Sequence, residues 1–225
     1  MYVWCMNSLA EENYLKTLYN LANERGEVNV NELSKHLGIK MPTVTSMMKK
    51  LSEKGLVNYE SYKPLRLTKA GESAAGKIIR KHRLTEMYLV QVMGFGWDEV
   101  HQIAEQIEHI HAPAFFSRMD EMLGYPKIDP HGSPIPDREG NIEKIHFSKL
   151  SECQPGDKLR LCAVVNSTDD FLRFLSRKGI SLGLVMTVEA KEAFDGSMTL
   201  KFAEEKVAVL TQLATEWLLG ERQNG

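Results

Sequence analysis

Read for the spacing of apolar positions, the chain falls into three stretches. In the first, Leu15, Leu18, Tyr19 and Ala22 recur at helical spacing. The capping box Ser8-Leu9-Ala10-Glu11 opens this helix and Gly26 stops it. Val28-Asn29-Val30 reads as a short extended piece. Asn31 is taken as the cap of a second helix carrying Leu33 and Leu37, which Gly38 ends with a left-handed turn. Pro42 suits the first turn of a third helix, with Val44, Met47, Met48 and Leu51 apolar and Gly55 at its close. Helix, glycine turn, helix is a helix-turn-helix, and the hairpin expected from Leu56–Glu60 and Leu65–Thr68, turning at Tyr62-Lys63-Pro64, is its wing.

The second stretch is helical. Thr68 caps a long helix through Ile78, Ile79, Leu84, Met87, Tyr88 and Val92 to Gly94. Asp98 is expected to cap a helix carrying His101 to His109, and Pro113 opens another with Phe115, Phe116, Met119, Met122 and Leu123 apolar, a natural dimer surface. A loop over 124–141, with four prolines, ends the stretch. From about Phe147 the period changes. Leu159–Val165, Gly183–Val188 and Met198–Phe202 read as strands, with a short helix at Phe171–Leu175. Residues 205–219 stay open between a helix and a short helix plus a final strand. The predicted fold is mainly α with small β elements: a winged helix-turn-helix over 1–75, a helical dimerisation domain over 76–145, and a small C-terminal β-barrel over 146–225.

Charge sharpens this picture. The net charge of −2 says little, but residues 1–83 hold 14 Lys+Arg against 8 Asp+Glu, and residues 84–225 hold 14 against 22. A basic first domain on an acidic remainder points to a polyanion partner for that domain alone, namely double-stranded DNA. Lys40, Thr43 and Ser46 face outward near the start of the recognition helix, followed by Lys49 and Lys50, and Lys63 at the wing tip is placed to meet a phosphate. Three scattered cysteines, Cys5, Cys153 and Cys162, fit a reducing compartment and argue against a thiolate site. No signal peptide or membrane span is evident, so a cytoplasmic protein is expected.

The candidate chemistry lies between Arg80 and His111. On a helical wheel, His101, Glu105, Glu108 and His109 share an arc about 100° wide. His82 and Glu86 share a face at i, i+4. Most such stripes are solvated helix faces. Here two glutamates crowd one arc with no Lys or Arg on it, which is repulsive unless a cation sits between them. A divalent metal site is therefore favoured. Asp129-Pro130-His131 in the loop adds an Asp-x-His pair.

With these residues in view, the chain resembles the diphtheria-toxin-repressor family of metal-dependent transcriptional repressors, over essentially its whole length. The likeness is most specific in Arg80–Glu86 (RKHRLTE), in Val100–His109 (VHxxAExxEH), in Leu123–Gly132 (LGYPKIDPHG) and in Pro42–Thr45 (PTVT). It implies an SH3-like C-terminal domain, a homodimer on a palindromic operator, and Mn(II) or Fe(II) as corepressor. By the same resemblance one metal site uses Glu105, Glu108 and His109 with Asn13 from the first helix. A second uses His82, Glu86 and His101, or instead Glu86 with Asp129 and His131. Glu105 stands where iron-type members carry cysteine, and Asn13 where manganese-type members carry aspartate. A set of three oxygens and one imidazole without sulfur makes Mn(II) the expected activator, with Fe(II) the alternative. Two other functions compete. One is a winged-helix regulator sensing an organic ligand. The other is a di-iron carboxylate enzyme built on Glu108–His111 and Glu143–His146. No enzymatic activity is expected.

Overall fold

The computed structural model describes residues 7–143, 145–165, 167–202 and 206–223; Cys5 and residue 205 of the ambiguous stretch lie outside them. Helix α1 (Leu9–Arg25) starts at Ser8, whose hydroxyl accepts from the Glu11 N–H while the Glu11 carboxylate accepts from the Ser8 N–H. Helix α2 (Val30–Leu37) is capped by Asn29, not by the expected Asn31. The reciprocal box needs an acidic residue three positions on; Asn29 has Glu32 there, with both bonds at 2.9 Å, whereas Asn31 has Ser34. Gly38, at φ 66°, then turns the chain into α3 (Met41–Glu53), which carries Pro42 in its first turn. Strands β1 (Val57–Asn58) and β2 (Arg66–Leu67) pair antiparallel, and Val28 bridges Leu65 as a further rung of the wing. Leu15, Leu18, Leu33, Val44, Met48 and Leu51 are fully buried together, each contributing roughly 1.5–3 kcal/mol of burial.

Helix α4 (Lys69–Gln91) opens at Thr68, whose hydroxyl accepts from the Gly71 N–H at 3.1 Å. Helix α5 spans His101–Ile107 and is shorter than expected. Residues 97–99 form turns rather than a cap at Asp98, and Glu108 and His109 lie in the turn that follows the helix. The Glu108 N–H still donates to the Ala104 carbonyl at 2.9 Å, so its side chain keeps a helical direction. Helix α6 spans Pro113–Met122.

Contacts group the chain into two units. One comprises Met1–Thr85, Ala104–Met122 and Ile135–Glu143; the other comprises Glu86–Ile103, Leu123–Pro134 and Lys144–Gly225. The second unit contains the β domain. Strands β3 (Ser148–Lys149), β4 (Lys158–Val164), β5 (Val185–Lys191), β6 (Met198–Phe202), β7 (Lys206–Leu210) and β8 (Leu218–Gln223) form one antiparallel sheet in the order β3-β8-β4-β5-β6-β7. Helix α7 (Asp169–Arg177) follows β4, and α8 (Gln212–Glu216) follows β7. The open stretch is thus strand, one helical turn, strand. Alternation along β6 buries Met198, Leu200 and Phe202 on one face. No helix among the described residues is long and apolar enough to cross a membrane.

Candidate metal centre

The first cluster lies within the first unit and draws on three elements. Helix α1 presents Glu12, Asn13 and Lys16, which share a helical face. Helix α4 supplies Lys81 and His82, and the end of α5 supplies Glu105, Glu108 and His109. The Glu108 carboxylate is completely buried. It accepts from His82 Nδ1 at 2.5 Å and from Lys16 Nζ at 2.7 and 2.8 Å. Burial alone would raise its pKa, but the bonds and charges of His82 and Lys16 outweigh that and hold it below the ordinary carboxylate range. Ligand atoms of His82, Glu105 and Glu108 all lie within 4.8 Å of one another.

His109 is prepared for ligation by a residue that the sequence reading passed over. Its Nδ1 is 2.7 Å from Glu12 Oε2. A carboxylate only accepts, so Nδ1 donates to it, which leaves Nε2 as the nitrogen open to an ion, 3.5 Å from Glu108 Oε1. Glu12 is nearly buried, and His111 Nε2 approaches its other oxygen at 3.9 Å. The sequence carries no signal for it, since Glu12 with Lys16 four residues on reads as an ordinary solvated pair. Asn13, chosen from this helix instead, has a buried Oδ1 with no hydrogen-bond partner among the described residues. Lys81 Nζ donates to the Glu108 carbonyl at 2.6 Å and lies over the Phe116 ring. Burial pulls its pKa down, against Glu12 and Glu108, which raise it.

The second cluster lies within the other unit. Glu86, Asp129 and His131 are all buried, with ligand atoms within 4.8 Å of one another. Asp129 Oδ1 accepts the N–H groups of His131 at 2.8 Å and Ser133 at 2.9 Å. His131 Nε2 meets the Trp97 carbonyl at 2.8 Å. A carbonyl only accepts, so this nitrogen donates, and Nδ1 is the nitrogen turned toward Glu86 Oε2, 3.7 Å away. The loop is pressed onto β4: the His131 carbonyl accepts from Val164 N–H, and a Cβ on Gly132 would sit 2.0 Å from the Cys162 carbonyl. Glu86 also meets His101 Nδ1 at 3.2 Å, with the His101 side chain half exposed. Of the alternative set His82, Glu86 and His101, the last two are therefore joined within this unit, and His82 stands one turn before Glu86 on α4.

Both clusters suit a divalent cation. Each offers buried carboxylates beside an imidazole whose far nitrogen is held by a hydrogen bond, and the first adds an amide oxygen without a partner among the described residues. Cys153 and Cys162 lie in neither, and burial raises both thiols. On the expected DNA face, Lys40, Thr43, Ser46, Lys49 and Lys50 are all exposed. Lys50 Nζ lies 3.3 Å from Glu11, and Lys63 pairs with Glu60 at 2.5 Å. Beside it Tyr62, at φ 66°, projects fully into solvent at the wing tip, an exposed aromatic not foreseen.

Comparison with known proteins follows the same division. The iron-dependent repressor N-terminal DNA-binding domain matches residues 8–65, the iron-dependent repressor metal-binding and dimerisation domain matches 68–137, and a FeoA domain matches 148–215. The iron-dependent repressor IdeR of Mycobacterium tuberculosis (strain ATCC 25618 / H37Rv) is 35% identical over 198 residues, covering 82% of this chain and 86% of the relative. A manganese-dependent transcriptional repressor solved in complex with manganese superposes with a TM-score of 0.83 at 31% identity, over 93% of this chain and 98% of that one. ScaR solved with bound Zn2+ gives a TM-score of 0.78 at 30% identity, over 94% and 98%.

Proposed function

The chain belongs to the iron-dependent repressor family of metal-dependent transcriptional repressors, and we propose that it binds a palindromic operator as a homodimer when loaded with Mn(II) or Fe(II), controlling metal uptake or homeostasis genes in the cytoplasm. The carrying observation is the fully buried Glu108 carboxylate facing Nε2 of His109, whose Nδ1 is held by Glu12. Glu105, Glu108, His109 and Asn13, with His82 bonded to Glu108, would hold one ion; Glu86, Asp129 and His131, with His101 beside Glu86, would hold a second. A bound divalent ion supplies the charge that lets several carboxylates share one small volume. An oxygen- and imidazole-rich donor set without sulfur favours Mn(II). The solved relatives that carry manganese or zinc are consistent with such a set.

The chain's own residues supply the rest. Helix α1 packs Leu15 and Leu18 into the core under α3 while turning Glu12 and Lys16 to the cluster, so the winged helix and the cluster share one element. Thr43 and Ser46 are placed for base edges, and Lys40, Lys49, Lys50 and Lys63 for phosphates. Ile110, Phe115 and Met122 leave apolar surface exposed on and beside α6, which suits a dimer face. The division into DNA-binding (1–75), dimerisation and metal-binding (76–145) and SH3-like (146–225) domains follows from this reading. The deciding experiment is selection of a binding site from random duplexes, followed by footprinting with a panel of divalent metals at buffered free concentrations. A palindromic footprint that needs Mn(II) or Fe(II) is expected. A footprint that ignores metal, or none with either ion, overturns the reading.

A further inference from the structure

Lys16 is the cation that the pattern of the helix stripe left unsupplied. An ammonium has three N–H bonds. All three find carboxylate oxygens here: Glu105 Oε2 at 2.7 Å, Glu108 Oε1 at 2.7 Å and Glu108 Oε2 at 2.8 Å. These are the oxygens that a divalent ion at this cluster would need, and the ammonium takes up part of their lone-pair capacity and repels a second cation placed beside it. The Lys16 side chain is 14% exposed where that of Glu108 is 0%. The lysine therefore sits at the rim, on a flexible four-carbon stem able to carry its charge to water.

We propose that Lys16 is a tethered competitor for the metal site: its ammonium neutralises Glu105 and Glu108 and must withdraw to solvent before those carboxylates are loaded. The inference rests on the metal-site reading above. Its consequence is a threshold. Apparent metal affinity falls by the fraction of time that the carboxylates are committed to the lysine. Helix α1 also keeps its other tie, Glu12 to His109, while the Lys16 tie is exchanged, so the helix changes partners at one point rather than coming loose. A salt bridge that merely held the carboxylates in place would have the opposite signature, since its removal would leave metal affinity equal or weaker.

The test uses the full chain stripped of metal, with Mn(II) affinity read by competition with a fluorescent chelator. Lys16→Met should bind Mn(II) about tenfold more tightly than wild type, the size expected for a released set of charge-assisted bonds. Lys16→Arg should bind no more tightly than wild type. Equal or weaker binding by Lys16→Met overturns the proposal. Glu108→Gln separates the two readings. If it loses Mn(II) while Lys16→Met matches wild type, only the role of Lys16 falls. If it binds like wild type, the site itself falls and the proposal with it. A second measurement needs no variant. Reductive methylation followed by mass spectrometry should label Lys16 slowly without Mn(II) and faster with it, with exposed Lys49 as the internal reference. Labelling that Mn(II) leaves unchanged or slows also overturns the proposal.

Discussion

At the scale of single residues, Glu12 decides which nitrogen of His109 is available, and so whether a reading of the cluster as a metal site is chemically complete. Removing the carboxylate leaves the imidazole free to rotate and to change tautomer. Glu12→Ala is therefore expected to weaken Mn(II) binding about 10- to 100-fold, the range typical when a ligand's orienting partner is lost. Glu12→Gln keeps an acceptor and should fall between. Chelator competition measures both, and an unchanged affinity in Glu12→Ala would remove Glu12 from the site. The residues of the cluster on α4 and α5 were legible because their spacing places them on helical faces, and imidazole with carboxylate has few other uses there. Glu12 and Lys16 were not legible, because a Glu and a Lys four apart on a surface helix look like an ordinary solvated pair. Only the fold turns them onto α5, where Glu12 meets His109 and Lys16 meets Glu105 and Glu108.

At the scale of elements, α1 is fastened to α3 by the Glu11 carboxylate, which meets Lys54 Nζ at 2.8 Å and Lys50 Nζ at 3.3 Å. Burial opposes its charge, but Lys54, the Ser8 N–H and Lys50 together lower its pKa from 4.5 to about 2. A carboxyl whose folded value is depressed stabilises the fold above its unfolded value, and that stability is lost as pH falls through the folded value. The contribution should thus be complete above about pH 5 and disappear toward about pH 2, amounting to on the order of 2 kcal/mol after screening of the partly exposed lysines. Thermal melts of Glu11→Gln against wild type should diverge at neutral pH and converge in acid; parallel curves would mean that the lysines do not hold Glu11. Local chemistry made most elements readable. The Ser8 box, Gly38 and Pro42 each act within one turn of the chain. The misplaced cap of α2 shows the limit, because Asn29 and Asn31 differ only in what lies three residues on. The stretch over 205–219 was ambiguous for a different reason. Its five-residue strand and single helical turn are too short for periodicity to separate, and cross-strand pairing with β6 and β4 decides them.

At the scale of the molecule, the question is how a charge change at the cluster reaches DNA. The basic excess lies before residue 84 and the acidic excess after it, so phosphate contacts belong to the winged helix. Lys49→Ala should lower operator affinity for all sequences alike and reduce the slope of log affinity against log salt by about 1. Lys50→Ala should do less, because Lys50 already lies near Glu11. An unchanged slope in Lys49→Ala would place that lysine off the backbone. Coupling then runs through α1. The simplest switch would leave this helix untied until an ion bridges it to the acidic cluster. Lys16 and Glu12 instead join it to Glu105, Glu108 and His109 through their own side chains, so a switch must work by exchanging one set of ties for another. Such an exchange still obeys linkage. If metal loading favours the arrangement of α1 that presents α3 to DNA, then operator binding must favour metal loading by the same factor, typically about 5- to 150-fold. Mn(II) titrated into the chain with and without a saturating operator duplex should give dissociation constants that differ by the same ratio as operator affinities measured with and without Mn(II). Two equal Mn(II) constants beside a metal-dependent footprint would break the cycle and show that the metal dependence of DNA binding arises elsewhere than in this coupling.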